Sequence, residues 1–183
     1  MTLQKGLGKG IAVPLIAAAM VASGASAAMV SFSSVFTNNT LADKVYDIST
    51  VLSLTSPLGN TAGSGTLAIV VTDIRGGGAY VKSVGSTALY TSFVNGVKVA
   101  EMGSAFTLSA SAFGQNSYTD SFNKTSYGVS ATTNDEIDEK FRFILSAGDQ
   151  AVVSGTFVVV SAVPAPGAIG LVGIAGGFAV RGR

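Results

Sequence analysis

Ala88-Leu89-Tyr90-Thr91-Ser92-Phe93-Val94-Asn95-Gly96-Val97-Lys98-Val99-Ala100-Glu101 is the stretch that decides the fold class. Two runs containing β-branched and aromatic residues flank Asn95-Gly96, and those two residues tolerate the positive φ angles of a type I′ turn. The stretch reads as a β-hairpin with a two-residue loop.

Working outward, period-two alternation marks further strands. In 44–54, Tyr46, Ile48, Leu52 and Leu54 form an apolar set against Asp47, Ser49 and Ser53. Residues 66–72 are nearly all apolar in their middle, Leu67 to Val71, which predicts a strand covered on both faces or lying in the centre of a sheet. Phe106, Leu108 and Ala110 alternate with Thr107, Ser109 and Ser111, while Phe141, Phe143 and Leu145 form another inward row. Residues 152–160, with Phe157, read as a long closing strand. Gly, Pro, Asn and Asp clusters at 56–60, 75–78, 103, 114–116 and 148–149 separate these runs at spacings suited to antiparallel pairing. No run of 11 or more residues carries a 3.6-residue period with caps, so helix is expected at most as short turns around 35–42 and 133–139. The fold class is therefore all-β: an antiparallel β-sandwich, of which a jelly roll is one form. A β-helix is the runner-up and lacks the fixed repeat it needs.

Composition narrows function. The 183 residues contain no Cys and no His, which removes disulfides, thiolate nucleophiles, the usual zinc sites and Ser-His or Cys-His catalysis. Eleven basic residues against 10 acidic ones leave no field to attract nucleic acid. Within 28–160 the count is 7 basic and 10 acidic, 7 minus 10, a net charge of −3.

The two ends differ from this body. Lys5 and Lys9 precede an uncharged run from Ile11 to Val21, and Ala25-Ser26-Ala27 offers the small-x-small pattern of a signal peptidase site, with Ala25 and Ala27 at the small positions. Residues 1–27 read as a signal peptide and 28–160 as the β body. Residues 161–183 close the chain with Val163-Pro164-Ala165-Pro166-Gly167, an uncharged segment 168–180 and Arg181-Gly182-Arg183. The 18 uncharged residues 163–180 would span about 27 Å as a helix, close to the lower limit for a bilayer core.

This order of Pro-x-Pro, apolar segment and terminal arginines, on a chain that opens with a signal peptide, resembles the PEP-CTERM sorting signal of Gram-negative bacteria. The resemblance covers 163–183. It puts Pro164 and Pro166 on the motif prolines, Ala165 where the family usually has Glu, the apolar helix on 168–180, and Arg181 and Arg183 on the basic cluster, here interrupted by Gly182. It implies an exosortase-like processing enzyme and the membrane as partners, together with signal peptidase, in an organism that makes exopolysaccharide.

Chemistry has few places to reside. Asp135, Glu136, Asp138 and Glu139 put four carboxylates within five positions, oxygen ligands suited to Ca²⁺, although the spacing is not that of an EF-hand. The alternative is a solvated acidic run that keeps the following apolar strand soluble. No other cofactor and no catalytic residue is indicated. Gly76-Gly77-Gly78 lacks the Gly-Lys-Ser or Gly-Lys-Thr of a phosphate loop. Tyr80, Tyr90, Tyr118 and Tyr127 could stack on sugars or pack at strand edges. Two readings of function follow. One is a non-catalytic exported protein of the envelope or extracellular matrix, processed or anchored through its tail. The other is a carbohydrate-binding module for exopolysaccharide, with Ca²⁺ as a conceivable helper. A hydrolase built on paired carboxylates stands third.

Overall fold

The computed structural model describes residues 13–15 and 27–161. Among them it holds strands and no helix: β1 Val13–Leu15, β2 Ala27–Thr37, β3 Lys44–Ser53, β4 Thr61–Thr72, β5 Ala79–Ser83, β6 Tyr90–Val94, β7 Val97–Met102, β8 Thr107–Ala110, β9 Gln115–Lys124, β10 Glu136–Leu145 and β11 Gln150–Ser161.

The pairings are nested around one turn. Asn95 and Gly96, with φ of 49° and 72°, join β6 to β7. Outside that hairpin β5 pairs β8, β4 pairs β9, β3 pairs β10 and β2 pairs β11, every pair antiparallel. The chain is thus one long hairpin whose two arms run together from the Asn95-Gly96 tip outward. Wrapped into two layers it gives a five-stranded sheet, β1-β2-β11-β4-β9, and a second sheet in which β10 has β3 on one side. On the other side of β10, β6 lies against 137–141 and β5 against 143–145, backed by β7 and β8. A nested hairpin rolled into two facing sheets is a jelly roll, so the sandwich takes that form.

Alternation decides which side chains enter the core. Along β10, Ile137, Glu139, Phe141, Phe143 and Leu145 point inward, and along β11 so do Ala151, Val153, Phe157 and Val159. Aromatic rings interlock across the interface: Phe141 lies 5.1 Å from Phe32 and 5.2 Å from Tyr90, and Phe143 lies 5.2 Å from Phe36.

Two sequence expectations are made definite and one is revised. Of the two readings of 66–72, the strand inside a sheet is the one observed: β4 lies between β11 and β9, with Leu67, Ile69 and Val71 buried and Ala68 and Val70 half-exposed on the outer face. The run of five apolar residues arises because the outer-face positions Ala68 and Val70 are small or β-branched, with no second covering layer. The helical turns are not formed: Val35 to Thr37 ends β2, 40–42 form a bend, and Glu136 to Glu139 already belong to β10. The long strand expected over 152–160 is β11, the last of the described strands, and it runs through the middle of its sheet between β2 and β4.

Of the expected signal core, Val13–Leu15 is a short strand on the β2 edge, pairing Val13 with Val35. Ala27 is the first residue of β2. Ala25, the tail prolines Pro164 and Pro166, Arg181, Arg183 and the apolar segment 168–180 lie outside the described residues. Among those residues no helix is long and apolar enough to cross a membrane.

Candidate functional site

Nested pairing sends four loops to one end of the sandwich: 38–43, 73–78, 111–114 and 146–149. Buried polar side chains brace them to one another. Asn38, fully buried, donates through Nδ2 to the carbonyls of Ala42 (2.8 Å), Leu145 (3.1 Å) and Ser146 (2.9 Å), and its Oδ1 accepts from the Thr40 hydroxyl at 2.7 Å. Main-chain bonds from Asn38 to Asp149 and from Gly148 back to Asn38 fasten the first loop to the last. Asp149 accepts from Ser146 Oγ at 2.5 Å, and Ser146 Oγ accepts from the Tyr80 amide at 2.8 Å.

Asp73 holds the other two loops. Its Oδ1 accepts from the amides of Arg75 and Gly76, both at 2.9 Å, and its Oδ2 from those of Gly78 (2.7 Å) and Phe113 (2.9 Å). Burial pushes this carboxyl up, but the four amides, Gly78 and Phe113 foremost, outweigh it and hold the pKa at about 2. The glycine loop that resembles an anion cradle therefore already contains its anion, the chain's own Asp73.

The braced loops present apolar tips. Leu41 is 90% exposed, Phe113 77% and Ile74 48%, with Arg75 exposed between the loops. Phe113 sits at φ 54°, a conformation that L residues rarely adopt, and its ring lies on Gly76, where a Cβ would come within 2.3 Å of it. Beside this end, Tyr80 donates to Asp43, and Lys82 lies 3.7 Å from the same carboxylate and 4.6 Å from the Tyr80 ring centre. The bond to Asp43, burial and the nearby carboxylate charge push the Tyr80 hydroxyl up to about 12.

The four carboxylates proposed for Ca²⁺ are not brought together. Asp135 caps the turn before β10, accepting from the Thr132 amide at 2.6 Å. Glu136 is exposed, Asp138 faces outward against Ser49 (2.8 Å) and Lys140 (3.2 Å), and Glu139 points into the core. A strand turns successive side chains to opposite faces, so neighbours in sequence are separated here by the thickness of the sheet. Among the described residues no group of three or more acidic side chains could hold a metal ion.

The tyrosines are dispersed too. Tyr90 is in the core, Tyr118 packs 4.5 Å from Phe106, Tyr127 packs 6.1 Å from Phe157, and Tyr80 lies beside the loop end. Sequence reasoning passed over Asn38 and Asp73, although Asp73-x-x-Gly76-x-Gly78 carries the signature of an Asp that caps its own loop.

No family model matches the chain, and no curated protein does. Among solved structures it is similar to TmCBM61 in complex with β-1,4-galactotriose, at TM-score 0.34 and 8% identity over 74% of this chain and 88% of that one. It is also similar to the infectious bursal disease virus VP2 subviral particle (TM-score 0.33, 13% identity, 75% and 33% covered). A third likeness is to the carbohydrate-binding module CBM6cm-2 from Cellvibrio mixtus lichenase 5A in complex with cellotriose (TM-score 0.25, 10% identity, 78% and 84% covered).

Proposed function

We propose that the chain is a non-catalytic exported protein of the cell envelope or extracellular matrix, processed or anchored through its C-terminal signal, and that it makes contact through the four-loop end. The observation that supports this reading is the placement of the ends. Ala27, the expected cleavage position, lies one strand away from the departure of the tail, since it pairs with Val160 next to Ser161. The braced loops lie at the other end of β11, whose 12 residues span about 40 Å. A tail held in the membrane leaves Leu41, Ile74 and Phe113 as the outward tips, and rigidly held loops are where a β scaffold carries recognition. Signal peptidase, an exosortase-like enzyme and the membrane are the partners this reading needs.

Intact mass and terminal sequencing of the protein from the envelope and medium of its native host test it. The expected product begins at Ala28 and lacks some or all of 163–183. A cytosolic chain that keeps residues 1–27 would sink the proposal.

A second reading, contact with extracellular polysaccharide at the same end, is favoured by the exposed Phe113 ring beside Arg75, an apolar face next to a hydrogen-bond donor. Titration of the protein with the producer's polysaccharide checks it, with heat or a mobility change expected.

A further inference from the structure

Glu139 occupies the interior of the sandwich with 0% exposure, and neither of its carboxyl oxygens has a hydrogen-bond partner. Its cross-strand neighbours share the anomaly. Thr50 on β3 and Ser92 on β6 stand in register with it, and both hydroxyls are buried without a partner. The Tyr90 hydroxyl, two residues along β6, is likewise buried without a bonded partner, and it lies within electrostatic reach of Ser92 and Glu139.

The row divides the core. Ile48, Phe141 and Tyr90 on one side belong to one apolar cluster, while Leu52, Ile137 and Val94 on the other belong to a second. On the opposite sheet Gly155 of β11 lies against the Phe141 ring and Gly65 of β4 against the Phe122 ring, and neither brings a polar side chain. Five side-chain oxygens left dry would each cost the full loss of hydration. A closed polar space with several such groups is where internal water is found.

We propose that the row Thr50, Glu139 and Ser92, together with the Tyr90 hydroxyl, is an internal hydration site in which ordered water bridges the carboxyl group to the three hydroxyls. Water fits better than a cation because the row supplies a single carboxyl group. Burial, with the charge of Asp138 as a smaller cause, pushes that group up to about 9, so it is a neutral acid near pH 7. The other ionisable groups around it are few. Asp138 and Lys140 face outward on the same strand, paired with each other, Tyr90 comes from β6 and Tyr127 from the segment after β9. At this level β2, β3, β4 and β11 offer none.

Water ¹⁷O relaxation dispersion on the full chain counts long-lived internal water, and thermal unfolding between pH 5 and 9 reads the proton. The expected result is a long-lived water signal in the wild type and in E139Q that falls in the T50V/S92A double variant. The wild-type Tm should drop as pH rises: a carboxyl whose folded pKa exceeds the ordinary 4.5 stabilises fully below that value and loses the contribution on the way to about 9. E139Q should remove that slope. An unchanged water signal in T50V/S92A would overturn the proposal. So would a Tm that rises with added Na⁺ or Ca²⁺ in the wild type and not in E139Q, since a cation would then hold the site. If T50V/S92A does not fold, T50V alone, nearly identical in shape, carries the water measurement.

Discussion

Asp73 is one carboxylate doing the work of a loop-to-loop crosspiece. Its four amide bonds favour the ionised form and weaken when it takes up a proton, which makes the loop end sensitive to acid. Because its folded pKa of about 2 lies below the ordinary value near 3.8, its stabilisation is complete above about pH 4 and disappears as pH falls toward 2. Asp73→Asn should lower Tm at neutral pH and flatten this acid limb, as read by thermal unfolding from pH 2 to 6. At this scale the sequence was a partial guide. The acidic row 135–139 drew attention because its members are adjacent, yet adjacency on a strand means opposite faces, and its members have unrelated roles. Glu139 could not be recognised as buried without knowing where β10 lies, because its flanking residues, Asp138 and Lys140, are both charged. Asn38 and Asp73 depend on loops that meet only after folding.

Among the elements, those with contrast between their two faces were the legible ones. β3 and β8 alternate apolar with polar residues and lie within two residues of the expected bounds, whereas of β10 only the half 141–145 was legible, because Glu136 to Lys140 read as an acidic turn. β9, Gln115–Lys124, was missed because its residues are mostly polar on both faces, as suits a strand at the sheet edge with only Tyr118 and Phe122 reaching the core. β2 was missed because its start adjoins the expected signal segment. The Asn95-Gly96 turn was read directly, since few dipeptides accept two consecutive positive φ angles. Gly96→Ala should cost about 1 kcal/mol in equilibrium denaturation, the penalty for a Cβ at φ 72°, where the space around it is open and no clash adds to it. Since that hairpin is also the centre of the nested pairings, the same variant would show whether its formation limits the folding rate.

Across the whole molecule the two outer faces differ in kind. The outer face of the second sheet carries ion pairs: Arg142 with Asp47 at 3.5 Å, Lys140 with Asp138 at 3.2 Å, and Lys98 with Glu101 at 2.7 Å. Among the described residues the outer face of the first carries none. Its cross-strand rows are Ser33, Ser154, Ala68, Thr119 and Ser31, Thr156, Thr66, Ser121, with the Thr66 and Thr156 hydroxyls 2.7 Å apart. Composition predicted a body low in charge, but the segregation of that charge onto one sheet follows from the strand order. The loop tips lie outside both faces. Phe113→Ser should leave stability within about 0.5 kcal/mol, as expected of an exposed side chain, while weakening retention on the producer's polysaccharide in the titration described above.

The position of β11 has a mechanical consequence. It is bonded along its length to β2 on one side and to β4 on the other, and the tail continues from its far end. Tension between a partner gripped by the loops and an anchored tail would pull along the axis of this strand. Both ladders would then be loaded in shear, with many bonds sharing the force instead of opening one after another, so a pull along this strand meets more resistance than one that peels an edge.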